Sequence, residues 1–281
     1  MEATMIKRED IRIRDPFILT DTEHQCYYMY GTTALEPHSL DAKNTFTVYR
    51  SLDLEHFEEG KVVFDGGKIG FWADRDFWAP EVHEYGGKYY LFGSCKADGK
   101  FRGTQIFVSD RPDGEFSPLT EEPITPRGWE CLDGTFWQEN GIPYIVFSHE
   151  WTQIGNGEIW AMPLTADLKE AAGDPFLLFR ATDNPEVSTL EGKIGAYVTD
   201  GPFLYVENGE LNMMWSSFYK GRYLVLQAKS DSIKGKWQHG GSRFDFDGGH
   251  AMLFRRLDGV RMISLHRPNT PDYERAFFYE Y

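Results

Sequence analysis

Three aspartates stand directly ahead of a proline or glycine and then an apolar run: Asp15 in "RDPF", Asp133 in "LDGTF" and Asp200 in "TDGPF". A carboxylate before Pro or Gly is an ordinary turn former, because its side chain caps local N–H groups. One such site therefore means little. Three of them brought to one place would repel and raise one another's pKa, a cost usually met at working sites. Two carboxylates facing across a pocket are the equipment of a glycosidase: one protonates the leaving oxygen, and the other activates water or attacks the sugar. A third can tune and orient the acid.

Whether the three meet depends on the elements that carry them. Five segments share a short apolar strand followed by small or polar residues: "CYYMYGT", "KYYLFGS", "PYIVFSH", "LNMMWSS" and "RMISLHR". Their landmark residues are Tyr30, Phe92, Phe147, Trp215 and Leu265. They recur about every 50 to 70 residues, a longer spacing than the ~40–50 of WD40 and kelch repeats. Hairpin signals precede four of them, in "EYGGKYY", "QENGIPY", "VENGELN" and "RLDGVRM", where Gly and Asn supply the positive φ of tight turns. A third strand-like run follows in "TFTVYRS", "TQIFVSD", "GEIWAMP" and "YLVLQAK". Helical periodicity is nearly absent; "TADLKEAAG" could make two turns at most.

Repeated four-stranded antiparallel units with short turns predict an all-β, five-bladed β-propeller, with the blades arranged around a central axis. A β-sandwich is the competing architecture. The chain is read as one domain over residues 1–281. The last unit runs out after three strands, and "MIKREDIRI" is expected to supply the fourth and close the ring. Counting back fourteen or fifteen residues from each landmark reaches Asp15, Phe77 or Trp78, Asp133, Asp200 and His250. In a propeller these positions head the innermost strands, so they should converge on one axial pocket.

At these residues the chain resembles glycoside hydrolase family 43, five-bladed propeller enzymes acting on arabinan, xylan and related side chains. The matching stretches are "IRIRDPFIL", "FWAPEVHEYGGKYYLFGS", "LDGTFWQENGIPYIVFSHEW", "YVTDGPFLY" and "GGHAMLF", spread over all five units. The resemblance implies that Asp15 is the general base, Asp133 the residue that sets the acid's pKa, and the residue before Gly201-Pro202 the general acid. That residue is Asp200, where the family typically has Glu. The shorter side chain would draw the carboxyl back by roughly 1.5 Å, and a misplacement near 1 Å can cost on the order of 100-fold. A branch of the family looks similar here, pairing "TDGPF" with "GGH" and "LHRP". Glu191 in "STLEGKIG" is the alternative acid, with a solvated loop charge as its plain reading.

Further expectations attach to single residues. Trp78 could stack on a sugar ring or simply fill the core. His149 in "FSHEW" could hydrogen-bond sugar hydroxyls. By the resemblance, Arg267 would lie over the pocket, with a surface ion pair as the other reading. His250 could touch a water or a structural Ca2+ in the central channel; no cofactor is expected to be required.

The resemblance implies an inverting hydrolase removing terminal α-L-arabinofuranosyl units from oligosaccharides or polysaccharide side chains. A β-xylosidase or galactofuranosidase on the same scaffold, and a non-catalytic sugar-binding propeller, are the alternatives. A retaining fructosidase would carry Asn-Asp-Pro at its start and Arg-Asp-Pro in a middle blade, which this sequence lacks. The balance of 29 Lys and Arg against 44 Asp and Glu gives a net charge of -15, which disfavours nucleic acid and anionic membranes as partners. No apolar run approaches membrane-spanning length. Cys26, Cys95 and Cys131 are widely spaced and form no metal or disulfide pattern. With no signal peptide visible in "MEATMIKRED", they point to a cytoplasmic location.

Overall fold

The computed structural model describes residues 4–33, 44–219 and 221–281. Five antiparallel sheets are set around an axis. Their innermost strands are Arg14–Asp21, Arg75–Tyr85, Cys131–Glu139, Asp200–Glu207 and Gly249–Arg255. Each packs against the innermost strand before and after it, and the fifth packs against the first, which closes the ring. The chain is a five-bladed β-propeller.

The hairpins form where the sequence placed its turn residues. Asn140-Gly141, Asn208-Gly209 and Gly86-Gly87 all have positive φ at both positions, the type I′ geometry that matches strand twist. Beyond each turn run the second strands, Cys26–Thr32, Lys88–Lys96, Ile142–His149, Glu210–Tyr219 and Arg261–Arg267. They are largely buried, because blades cover them on both faces. Aromatic rings fill the wedges between blades. Phe46, Phe64 and Phe107 meet between the first two, with the Phe64 and Phe107 centroids 4.5 Å apart.

Two expectations need correction. "MIKREDIRI" does not complete the fifth blade. Met5–Lys7 pairs with His56–Glu58 on the rim of blade one, and blade five keeps three strands. The rest of that segment runs beside the last strand through single bonds: the Arg8 guanidinium donates to the Ala276 carbonyl at 3.0 Å, and the Ile13 N–H to the Glu274 carbonyl at 3.3 Å. The Pro-free but turn-rich "TADLKEAAG" folds into turns rather than a helix. Its Leu168 is buried with φ +60°, a conformation no helix interior allows. Among the described residues no helix is long and apolar enough to cross a membrane.

Candidate active site

One local device repeats at the head of every innermost strand. The register with the second strand breaks between Arg14 and Phe17, Trp78 and Glu81, Leu132 and Thr135, Asp200 and Phe203, and Gly249 and Met252. Each break is a β-bulge whose first unpaired residue has positive φ: Asp15 54°, Ala79 45°, Asp133 54°, Gly201 53° and His250 53°. A bulge re-aims the side chains around it, which is why bulges gather beside active sites. Asp and Gly enter this backbone region readily, whereas Ala79 and His250 do so against their preference.

The bulges correct the expected register. Phe17, Thr135 and Phe203 are equivalent by their cross-strand pairing. Asp15 and Asp133 stand two residues before theirs, but Asp200 stands three before. The three aspartates are therefore not equivalent. Asp15, Asp133 and His250 occupy the bulge position, which Gly201 fills in blade four. Asp200 shares its position with Arg14 and Trp78. The landmarks are themselves out of step: Tyr30 pairs with Phe17, whereas Phe147 and Trp215 lie one residue further on, opposite their bulges, and a one-residue slip in a strand exchanges faces. Gly201 is needed where it is: a Cβ there would lie 2.7 Å from Cγ of His250.

The bulges still bring the four side chains into one electrostatic cluster. Asp15 is buried; its Oδ2 accepts the Thr32 hydroxyl at 2.9 Å. Its Oδ1 lies 3.1 Å from Nδ1 of His250 and 3.4 Å from Nε of Arg14. Asp133 lies 3.7 Å from the same His250 nitrogen, and its Oδ2 accepts the Gly201 N–H at 3.0 Å. The Asp133 N–H donates to Ser94 at 2.9 Å. Asp200 remains partly accessible and accepts the Tyr223 hydroxyl at 3.0 Å.

These surroundings pull the carboxyls apart in acidity. Burial favours the neutral form of Asp15, but the positive charges of His250 and Arg14 outweigh it and hold the group well below the usual carboxylate range. Burial, then the Asp133 charge, pushes Asp200 up to about 7, against the lowering pull of Arg14 and the Tyr223 hydrogen bond. Asp133 is raised to about 6, mainly by burial. Burial alone would lower His250, yet Asp15 and Asp133 raise it to about 9. His266 behaves oppositely: burial and Arg14 lower it to about 4, so it is a neutral ring beside Asp15. One strongly ionised carboxylate and one carboxyl protonated near neutrality thus share a site, the pattern that separates a base from an acid.

The other expected residues fall less uniformly. Trp78 heads blade two, half-buried, with the Arg102 guanidinium 4.4 Å over its ring. His149 is stacked on Trp129 with centroids 4.4 Å apart, and its Nε2 lies 2.7 Å from Oε1 of Gln153. Arg267 does not lie among the carboxylates. It donates to the Tyr279 hydroxyl at 2.8 Å and rests 4.1 Å over Phe246. Its neighbour His266 faces Asp15, and side chains alternate along a strand, so Arg267 is turned the other way. Arg14 is the arginine that stands beside the carboxylates. Glu191 is exposed in its loop. At His250, Nδ1 faces Oδ1 of Asp15, and among the described residues no three His, Cys, Asp or Glu side chains are grouped to hold a metal ion.

Three residues of the cluster carried no assigned role in the sequence. Arg14 and His266 lie inside stretches that stood out, "IRIRDPF" and "LHRP", and adjacency to Asp15 was the available signal for Arg14. Tyr223 had none, since its approach to Asp200 is a contact between the third and first strands of one blade.

The fold and this cluster define a five-bladed propeller with clustered carboxylates at one end of its axis. The chain belongs to glycosyl hydrolases family 43, whose description matches residues 10–278. A solved endo-arabinase from Bacteroides thetaiotaomicron VPI-5482 is 41% identical, with TM-score 0.90, covering 100% of this chain and 98% of that one. Among curated proteins, the "Xylosidase/arabinosidase 43A" of Humicola insolens is 35% identical over 82 residues, 28% of this chain and 24% of that protein. The "Alpha-L-arabinofuranosidase 43" of the same organism is 27% identical over 152 residues, 50% of this chain and 29% of that protein. The aligned stretches thus span about a quarter of those relatives' lengths.

Proposed function

We propose that this protein hydrolyses α-L-arabinofuranosyl linkages of pentose-containing saccharides with inversion at the anomeric carbon. The observation that carries the reading is the divergence of Asp15 and Asp200: one carboxylate held ionised beside His250, the other held protonated up to about 7. Asp15 takes a proton from water as the water oxygen bonds to the anomeric carbon. Asp200 gives its proton to the glycosidic oxygen as the old bond breaks, which leaves Asp15 protonated and Asp200 ionised, and proton exchange with solvent resets both after the products leave. Burial, reinforced by the nearby charge of Asp133, keeps Asp200 protonated. Inversion requires the two carboxyls to admit a water between them, about 6.5 to 9.5 Å apart, against about 5 to 5.5 Å in retaining enzymes.

The sugar follows the solved endo-arabinase to which the chain is similar over its length. A xylosyl specificity has the support of the shorter xylosidase/arabinosidase match. A panel of aryl arabinofuranoside, xyloside and galactofuranoside separates these readings, and NMR of the first-formed product reads the anomer. Arabinofuranoside turnover with an inverted first product is expected. A retained anomer overturns the mechanism, and a strong preference for xyloside overturns the sugar. Linear arabinan then distinguishes terminal release, which yields single pentoses first, from internal cleavage, which yields oligosaccharides.

A further inference from the structure

Two loops beside the carboxylates carry polar side chains that the mechanism does not use. One leads from the fourth blade into Gly249–Arg255 and holds Asp247; the other follows Arg261–Arg267 and holds Asn269. Both side chains are partly buried. Asp247 accepts two backbone N–H groups at once, that of Tyr223 on Oδ1 at 3.1 Å and that of Asn269 on Oδ2 at 2.6 Å. The next residue, Gly248, donates its N–H to the Tyr223 carbonyl at 2.8 Å, so the loop grips both backbone polar groups of Tyr223.

What Asp247 holds in turn holds the carboxyls. Tyr223 donates its hydroxyl to Asp200. Asn269 presents Oδ1 to the Arg14 guanidinium, which donates to it, and to Nε2 of His266 at 3.4 Å. Those two groups flank Asp15. Nδ1 of His266 accepts the Asp15 N–H at 3.3 Å, which places the proton of the neutral ring on Nε2 and makes Asn269 its acceptor. The circuit closes through the rings. Tyr223 is stacked on His266 with centroids 5.7 Å apart, and the Arg14 guanidinium lies 5.6 Å from the Tyr223 ring.

We infer, resting on the hydrolase reading above, that Asp247 is a positioning residue that sets the acid and the base together, through Tyr223 on one side and Asn269 on the other. A carboxylate suits this post, because its two oxygens accept from two separate N–H groups where an amide offers one oxygen. Arg14 is where the bracket meets charge, since it lowers both Asp15 and Asp200. Asp15 is also faced by His250 and His266, and Asp200 by Asp133, His250 and Tyr223. Glu274 stands 3.6 Å from the Arg14 nitrogen that donates to Asn269, so a guanidinium freed from Asn269 has another carboxylate to follow.

The test compares Asn269→Ala and Asp247→Ala with the unaltered protein on a linear arabino-oligosaccharide, whose leaving group needs the acid. Opening the bracket should lower kcat about tenfold or more, as loss of alignment does, with KM little changed. The limb of the pH profile on which Asp200 loses its proton should move up by about one unit, the low end of what an opposite charge does to a carboxyl. A purely structural defect would reduce the folded fraction and leave that limb in place. Asn269→Ala alters no charge, so an unmoved limb there overturns the bracket, and it decides the matter should Asp247→Ala not fold. Folded Asp247→Ala should show the same upward shift, although its lost charge alone would pull the limb down; a downward shift overturns the role of Asp247. If the unaltered protein cleaves no pentoside, the hydrolase reading fails, and the bracket is judged by carboxyl-carbon NMR titration of Asp200: a higher midpoint in Asn269→Ala supports it, and an equal midpoint overturns it.

Discussion

Oδ2 of Asp133 accepts the backbone N–H of Gly201 at 3.0 Å, so one carboxylate grips the peptide group that immediately follows another, Asp200. Asp133 therefore acts on Asp200 in two ways, by charge across space and by a hydrogen bond that fixes where its backbone turns. The two can be separated. Asp133→Asn keeps an oxygen that can accept from Gly201 but removes the charge, whereas Asp133→Ala removes both. With the charge gone, Asp200 falls below about 7, and the limb of the pH profile on which the acid loses its proton moves to lower pH. The alanine variant should show the same shift and a further drop in kcat at the optimum. A pH profile unmoved in Asp133→Asn would count against the charge.

Tyr223→Phe should move that limb in the opposite direction. The phenol donates to Asp200 at 3.0 Å and stabilises its ionised form. Without it the acid keeps its proton to higher pH. A shift of the same sign as in Asp133→Asn would exclude the assignment of this limb to Asp200.

Asp200→Asn should discriminate between leaving groups. A sugar alkoxide needs protonation as it departs, and an activated phenolate does not. Hydrolysis of a natural oligosaccharide should fall about 10²- to 10⁴-fold, the usual worth of a general acid, while much of the activity on a dinitrophenyl glycoside survives. Asp15→Asn should abolish both. Intact oligosaccharide cleavage in Asp200→Asn would direct attention to Glu191, despite its exposure.

The pH dependence of stability should carry the mark of His250. Its ring is raised from 6.5 to about 9 in the folded protein. The folded state therefore binds that proton more tightly than the unfolded chain, and the associated stabilisation is whole below pH about 6.5 and lost as pH rises through about 9. Denaturant midpoints should decline between these limits, and His250→Gln should flatten that decline. An equal decline in the variant would assign it to other groups.

Much of this was legible in the residues. The hairpin turns and alternating aromatic strands carried the five blades, because turn chemistry and period are local properties. Asp15, Asp133 and Asp200 were legible as a group for the same reason. Their register was not. A bulge adds one residue without a sequence mark of its own, and counting from Trp215 passed over the Gly201 bulge. Arg267 and Arg14 show the complementary failure, since which of two arginines reaches a carboxylate is decided by strand alternation and by contacts between residues some 250 positions apart. Tyr223 was hidden because nothing local distinguishes a tyrosine that meets a carboxyl from one that packs in a blade.

The seam between the first and last strands has a consequence for biosynthesis. Asp15 is made well before the groups that set its charge state and backbone, His250 and His266, and before the Glu274 carbonyl that holds Ile13. Asp15 is the earliest aspartate of the cluster to be made and the last to be readied. A nascent chain with four blades already folded carries all three aspartates along the polypeptide without an assembled cluster, which closes only when the final blade docks against the first.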